Sequence, residues 1–236
     1  SKENIAWLLL AVGAFVLCSL LMNLGIINSY YQITLYNICI NIILAVSLNL
    51  VIGICGQFSL GHAGFMCIGA YAAGIITKMM PNFGGFMIGI LVGFAISALG
   101  FAEIIRILVQ NMKITNGAAG LNGIPQLTSW PLLMIGVVIS IMIVCNFTHS
   151  APGRACISIR EDEIASEAMG INTTKYKVIA FVIGALLASL AGALYACNFY
   201  VIKPNQFTFN KSIDILVMVV FGGMGSMTSS VIAAIV

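Results

Sequence analysis

Residues 4–77 read NIAWLLLAVGAFVLCSLLMNLGIINSYYQITLYNICINIILAVSLNLVIGICGQFSLGHAGFMCIGAYAAGIIT, 74 residues without one Asp, Glu, Lys or Arg. Apart from Cys and Tyr, His62 is the only side chain in this run that can ionise. A soluble surface cannot be made from such a stretch, because ordinary globular chains are about one-quarter charged. A helix crossing a bilayer needs about 20 apolar residues, so the run holds three crossings.

The rest of the chain repeats the pattern. Uncharged runs follow at 79–102, 114–153, 178–202 and 215–236, only 17 of 236 residues are charged, 61% are hydrophobic, and the mean hydropathy is +1.09. The spacing predicts spans at 5–27, 33–54, 60–79, 86–99, 100–112, 132–147, 176–197 and 213–236. The fold class expected is therefore an all-α polytopic membrane protein of about eight or more transmembrane or broken helices, forming one domain over residues 1–236. Residues 5–27 are long enough to span and end without a small-residue cleavage site, so they read as a first helix and not as a removed signal peptide. The net charge of +3 marks orientation before it marks partners, and nucleic-acid binding is not expected. The seven cysteines show no CxxC or Cys/His spacing; they read as small hydrophobes, and no metal site is expected.

Lys and Arg favour cytoplasmic loops. Arg154, Arg160, Lys175 and Lys177 cluster in one connection, which places the 148–175 loop in the cytoplasm. Parity then requires residues 115–131 to lie outside. If 86–110 were one outward crossing, Lys2 would lie outside as well. An inward crossing ending near residue 99 and an outward one beginning near residue 100 return Lys2 and the N-terminus to the cytoplasm, yet no polar connection separates the two.

Eight of the 17 charges lie between Arg154 and Lys177. From Arg160 to Met169 the pattern is helical: Arg160, Glu163 and Glu167 share one face, and Ile164, Ala168 and Ile171 another. Glu161, Asp162 and Glu163 sit at the expected start, where the helix dipole favours anions, and Gly170 at a C-cap. The reading is a short amphipathic helix at the membrane surface, too short to stand alone in water. It serves either as a docking surface for a partner or as a solvated loop satisfying the charge rule.

Two glycine-rich stretches interrupt apolar runs. Gly53, Gly56, Gly61 and Gly64 flank Gln57 and Ser59; Gly222, Gly223 and Gly225 precede Ser226. Irregular backbone at membrane depth is tolerated only where protein or a water-filled cavity satisfies it. Gly56, Gln57, Ser59, His62, Gly222, Gly223 and Ser226 are thus candidates for a translocation path, with Ser59 expected to N-cap the third helix and His62 in its first turn. The competing reading is close helix packing through glycine, with His62 a neutral, hydrogen-bonded residue. Glu103 and Arg106, at i, i+3, are expected to pair structurally, and Asp214 reads as an interface residue. No GxxxxGK[ST] motif occurs, so the chain has no ATPase motif of its own.

Residues 153–181, GRACISIREDEIASEAMGINTTKYKVIAF, resemble the cytoplasmic loop of the permeases of branched-chain amino acid ABC importers, the LivH/LivM family. The likeness extends to NLVIGICGQFSLGHAGFMCIGAY at 49–71, GFAEIIRI at 100–107, TNGAAGLNGIP at 115–125, AGALYA at 191–196, QFTF at 206–209 and MVVFGGMGS at 218–226, and its wording is closer to LivM-type than to LivH-type members. The resemblance implies a permease subunit in the bacterial cytoplasmic (inner) membrane that moves leucine, isoleucine or valine inward without being an enzyme. It implies a LivH-like permease partner, two cytoplasmic ABC ATPases that hydrolyse the ATP, and an extracytoplasmic substrate-binding protein. This chain itself would bind no cofactor. Arg154, Arg160, Glu161, Asp162, Glu163, Glu167, Ala168 and Gly170 would form the ATPase-coupling loop. Alternatives are a urea or amide permease of the same family, a self-sufficient ion-coupled transporter using Glu103 or Asp214, and an intramembrane enzyme using His62. Members carry a further turn before the GFAEIIR block, so a segment of some tens of residues is expected to be missing near 99–100 and a last helix after Val236.

Overall fold

The computed structural model describes residues 2–24, 27–59, 61–97, 119–199 and 201–235. The apolar runs form helices α1 (Lys2–Asn23), α2 (Ser29–Asn49), α3 (His62–Met79), α4 (Phe83–Ser97), α5 (Trp130–His149), α6 (Ala151–Glu161), α7 (Glu163–Ala168), α8 (Thr173–Ala196), α9 (Phe209–Gly222) and α10 (Met227–Ile235). Four are long and apolar enough to cross a membrane: residues Ala6–Asn23, Tyr30–Ile54, Trp130–His149 and Thr173–Ala196. The α9 helix has 14 residues, about 21 Å at 1.5 Å per residue, which is short of a hydrocarbon core of about 30 Å. The expected span at 213–236 is thus two helices that turn back at Gly223, not one. The 99–100 junction, Glu103, Arg106 and Lys113 lie outside the described residues.

The helices α2, α3 and α8 form the centre, and small residues set their distances. A Cβ at Gly192 of α8 would run into the Met66 carbonyl of α3, and one at Gly69 of α3 into the Ser189 carbonyl of α8. The α3–α4 hairpin is equally close, with Gly89 against Ala73 and Gly93 against Gly69. Lipid tails are as apolar as the helices, so close van der Waals approach through small residues replaces the hydrophobic drive available in water. Along the other flank of α2, Tyr36 stacks on Trp130 of α5, with ring centroids 5.9 Å apart.

Helix α1 packs mainly on α5. Leu9, Leu10, Val12, Leu17 and Leu20 all point outward, as expected of a helix at the lipid boundary. At the end of the bundle remote from the charged loop, Leu121–Asn122 (β1) and Val201–Ile202 (β2) pair antiparallel, Leu121 opposite Ile202. Lys78 Nζ donates to Asn122 O at 3.0 Å and fastens the end of α3 to this ribbon.

Candidate functional site

The charged connection is a pair of helices and not the single 160–169 helix expected. Asp162 is extended (φ −154°, ψ 111°) and breaks the run: it ends α6 and N-caps α7, its Oδ1 accepting the Ala165 N–H at 3.0 Å. Ser150 caps α6 by accepting from Gly153 N at 3.3 Å, and Asn172 caps α8 by accepting from Lys175 N at 3.0 Å. These short side chains satisfy first-turn donors better by ending one helix and starting the next. Gly170, at φ +82°, closes α7 as expected: its N–H goes to Glu167 O at 2.9 Å and Ile171 N–H to Ser166 O at 3.1 Å, a Schellman ending.

This break separates residues expected on one face. Arg160 belongs to α6 and turns inward to the bundle, its Nη1 donating to Gly53 O at 2.5 Å while Nε and Nη2 fork onto Glu161 Oε1 at 3.2 and 2.6 Å. Glu163 instead accepts from Lys177 Nζ at 2.5 Å, and Glu167 accepts from Thr173 Oγ1 at 2.7 Å. Both acids therefore fix α7 to the start of α8. Arg154 Nη1 donates to His149 O at 2.9 Å, while Ala168 is exposed at the end of α7. The Ser158 and Ser166 hydroxyls meet at 2.7 Å and join the two short helices. What the tip offers outward is Ile164, 82% exposed, and Met169, 83% exposed, with Glu161 beside them. The amphipathic pattern shows Ile164 on an apolar face, but nothing local in the sequence says that this face points to water.

The first glycine stretch is shaped by a π turn at Leu50–Ile54 that continues α2, after which Gly56 (φ +70°) redirects the chain. Only a residue without a side chain fits there, because a Cβ on Gly56 would lie 2.9 Å from Arg160 Cγ. Ser59 does not cap α3: Gly61 occupies the N-cap, and the buried first-turn donor Ala63 N is satisfied from across the bundle by Ser212 Oγ of α9 at 3.1 Å. His62 is 1% exposed and its Nε2 lies 2.6 Å from Ser47 Oγ. The Ser47 hydroxyl also lies 2.8 Å from Leu44 O, so it bridges the ring and the α2 backbone. Gln57 is half-buried nearby, and its Oε1 is buried without a partner among the described residues.

The second stretch touches the first. Asn49 Oδ1 accepts from Gly225 N at 2.9 Å and Asn49 Nδ2 donates to Ser226 O at 3.3 Å, so one side chain holds the end of the α9–α10 turn that leads into α10. A Cβ on Gly53 would run into Asn49 Oδ1 and Gly225 N. Asn49 carries no sequence signal beyond being polar within an apolar helix. Gly222 lines a groove of about 970 Å³ between α2, α9 and α10, whose polar lining includes Thr34, Asn41, Lys211, Asp214 and Ser229. Gly223 turns the chain at φ +88°. Among the described residues no cluster of His, Cys, Asp or Glu is arranged to hold a metal.

This geometry has a match in sequence. Residues 30–124 and 112–236 match the permease component of branched-chain amino acid transport systems. The chain belongs to that permease family. It is 32% identical over 251 positions to the high-affinity branched-chain amino acid transport permease LivM of Escherichia coli K12, covering 83% of this chain and 59% of LivM. The permease BraD of Pseudomonas aeruginosa is 25% identical over 240 positions, covering 82% of this chain and 78% of BraD. LivH of Salmonella typhimurium is 24% identical over 242 positions, with coverages of 82% and 78%. The chain spans about three-fifths of the LivM length. No solved structure matches it. Membership in this permease family agrees with the all-α membrane architecture and with the resemblance carried by the charged loop and the two glycine stretches.

Proposed function

We propose that this chain is the membrane-spanning permease subunit of an ATP-driven importer of branched-chain amino acids in a bacterial cytoplasmic membrane. It does no chemistry on the substrate and binds no cofactor. A LivH-like permease completes the membrane unit, two cytoplasmic ABC ATPases supply the energy, and an extracytoplasmic binding protein delivers the amino acid. The N-terminus and the 148–175 loop face the cytoplasm, and the whole chain is one transmembrane permease domain with eight or more crossing or broken helices. The LivM alignment runs over 251 positions while taking in only 83% of the 236 residues here. That supports the reading that relatives carry a segment of some tens of residues that this chain lacks near 99–100.

The observation that carries this function is the tip formed by α6 and α7. Ile164 and Met169 are almost fully exposed on α7 and its C-cap, while α6 and α7 are tied to the bundle through Gly53, Thr173 and Lys177. Exposed apolar side chains with a charged rim suit a protein interface, and the ATPase is the partner that the permease role requires. The Asn41, Lys211 and Asp214 groove, with Gly222 in its wall, is the part of the path that a zwitterion with an apolar side chain fits.

The test is a pull-down of the tagged chain from native membranes, with uptake of labelled leucine and labelled urea in vesicles from the same cells. Recovery of a second permease and two ATPases with ATP-dependent leucine uptake is expected. ATP-dependent urea uptake alone would move the substrate class, and transport driven by an ion gradient with the chain recovered alone would overturn the importer.

A further inference from the structure

We propose that Arg160 is a pin that holds the α9–α10 turn against the end of α2, and that drawing α6 outward releases this turn as the inner gate of the permease. The inference rests on the reading of α6 and α7 as the ATPase-docking pair. It adds the specific contacts through which docking reaches the membrane.

Three segments far apart in sequence meet at one point. The Gly53 carbonyl, within the π turn, accepts from Arg160 Nη1 at 2.5 Å. Gly225, in the turn, sits so close to both that a Cβ there would lie 2.9 Å from Arg160 Nη1 and 3.2 Å from Gly53 O. Asn49, one helical turn before Gly53, bonds the Gly225 N–H and the Ser226 carbonyl. Asn49 therefore bonds the turn directly, while Arg160, bonded to Gly53 O, packs against Gly225 and closes the turn in from the loop side. A π turn and glycines at positive φ make both gripped segments locally weak in helix hydrogen bonds, which favours movement there over movement within α2 or α9.

The turn also has room to move. Beside it lies an open pocket of about 550 Å³ lined by Trp7, Leu10, Thr148, Gly225, Met227 and Thr228, among others. Packed interiors are not continuously deformable, so a pocket bordering a glycine turn leaves that turn room to move. Glu161 gives the pin an outward handle: its carboxylate, 69% exposed, holds the Nε and Nη2 of the same guanidinium. A cationic group of the docked ATPase that pairs with Glu161 competes directly for that carboxylate and leaves Arg160 held by the Gly53 carbonyl alone. Arg160 is thus a positioning residue; it acts through the turn and not on the substrate.

The experiment carries Ser226→Cys in the full chain and reads its alkylation by a membrane-permeant maleimide through mass spectrometry, beside the leucine taken up per ATP hydrolysed in the complete complex. Arg160→Ala is expected to raise alkylation at position 226 about tenfold, the scale of one lost charged hydrogen bond, and to lower leucine per ATP while hydrolysis continues. Arg160→Lys, which retains one donor, is expected to restore both readouts in part, and Asn49→Ala to reproduce the Arg160→Ala effect from a site that touches no partner. Unchanged alkylation in both Arg160→Ala and Asn49→Ala overturns the pin. Raised alkylation with an unchanged leucine-to-ATP ratio overturns its role in coupling. Failure of ATPases to co-purify with the unsubstituted chain, with alkylation still raised by Arg160→Ala, removes the docking reading and leaves the pin standing.

Discussion

Lys177 Nζ donates to Glu163 at 2.5 Å, so the first residue of α7 is tied to the first turn of α8. The two side chains are 26% and 49% exposed, and such a partly exposed pair contributes about 0–1 kcal/mol. Its value is positional. Glu163→Lys is expected to loosen α7 and reduce ATPase co-purification with little change in the detergent melting temperature. Adding Lys177→Glu restores the ion pair and the co-purification. An unrepaired double variant would show that Glu163 meets the partner itself.

The proposed docking role of the tip makes a separate demand. Ile164 and Met169 are exposed, so Ile164→Asp with Met169→Asp removes little packing within this chain and is expected to leave the melting temperature unchanged. The same pair is expected to abolish recovery of the ATPases. Normal recovery would mean that the apolar tip is not an interface.

His62 and Ser47 form a buried pair at 2.6 Å, each less than 2% exposed. Ser47→Ala leaves the buried ring nitrogen without its partner, at a cost of about 1–3 kcal/mol. A lower melting temperature is the expected result, and Ser47→Thr, which keeps a hydroxyl, is expected to recover part of it. Equal stability of the Ala and Thr variants would show that the pair contributes nothing.

Helix contact through glycine predicts a contrast between two alanine substitutions. Gly192→Ala drives a methyl into the Met66 carbonyl, whereas Gly13→Ala on α1 meets nothing within 4 Å. Overpacking of the first kind costs about 1–3 kcal/mol, and separation of α3 from α8 is expected to lower both yield and melting temperature. The Gly13 variant is expected to be as stable as the parent or slightly better, because Ala is the stronger helix former. Equal behaviour of the two would overturn the close packing of α3 on α8.

Asn41 sits in the wall of the groove between α2, α9 and α10 together with Asp214. Asn41→Leu and Asp214→Asn are each expected to lower leucine uptake without altering recovery of the partner subunits. Uptake equal to that of the parent in both variants would place the path elsewhere.

Much of this protein was decided by its sequence alone. A 74-residue run without an acidic or basic residue has one solvent, and the apolar runs at 60–79, 132–147 and 176–197 set their helices to within a few residues. The concentration of charge between Arg154 and Lys177 marked a polar connection, and Gly170 was legible as a helix end because only glycine takes the left-handed conformation freely. Local sequence could not say which way the charges point. A periodic pattern from Arg160 to Met169 favours one helix, yet Asp162 gains more by capping a second helix, which sends Arg160 inward and Glu163 and Glu167 onto α8. Ser59 was the nearer candidate cap for α3, but Ser212 reaches Ala63 N from 149 residues away. The meeting of Asn49, Gly53, Arg160 and Gly225 likewise depends on three segments arriving at one place, and only the packing of α2, α6 and the α9–α10 turn brings those hydrogen-bonding groups within reach of each other.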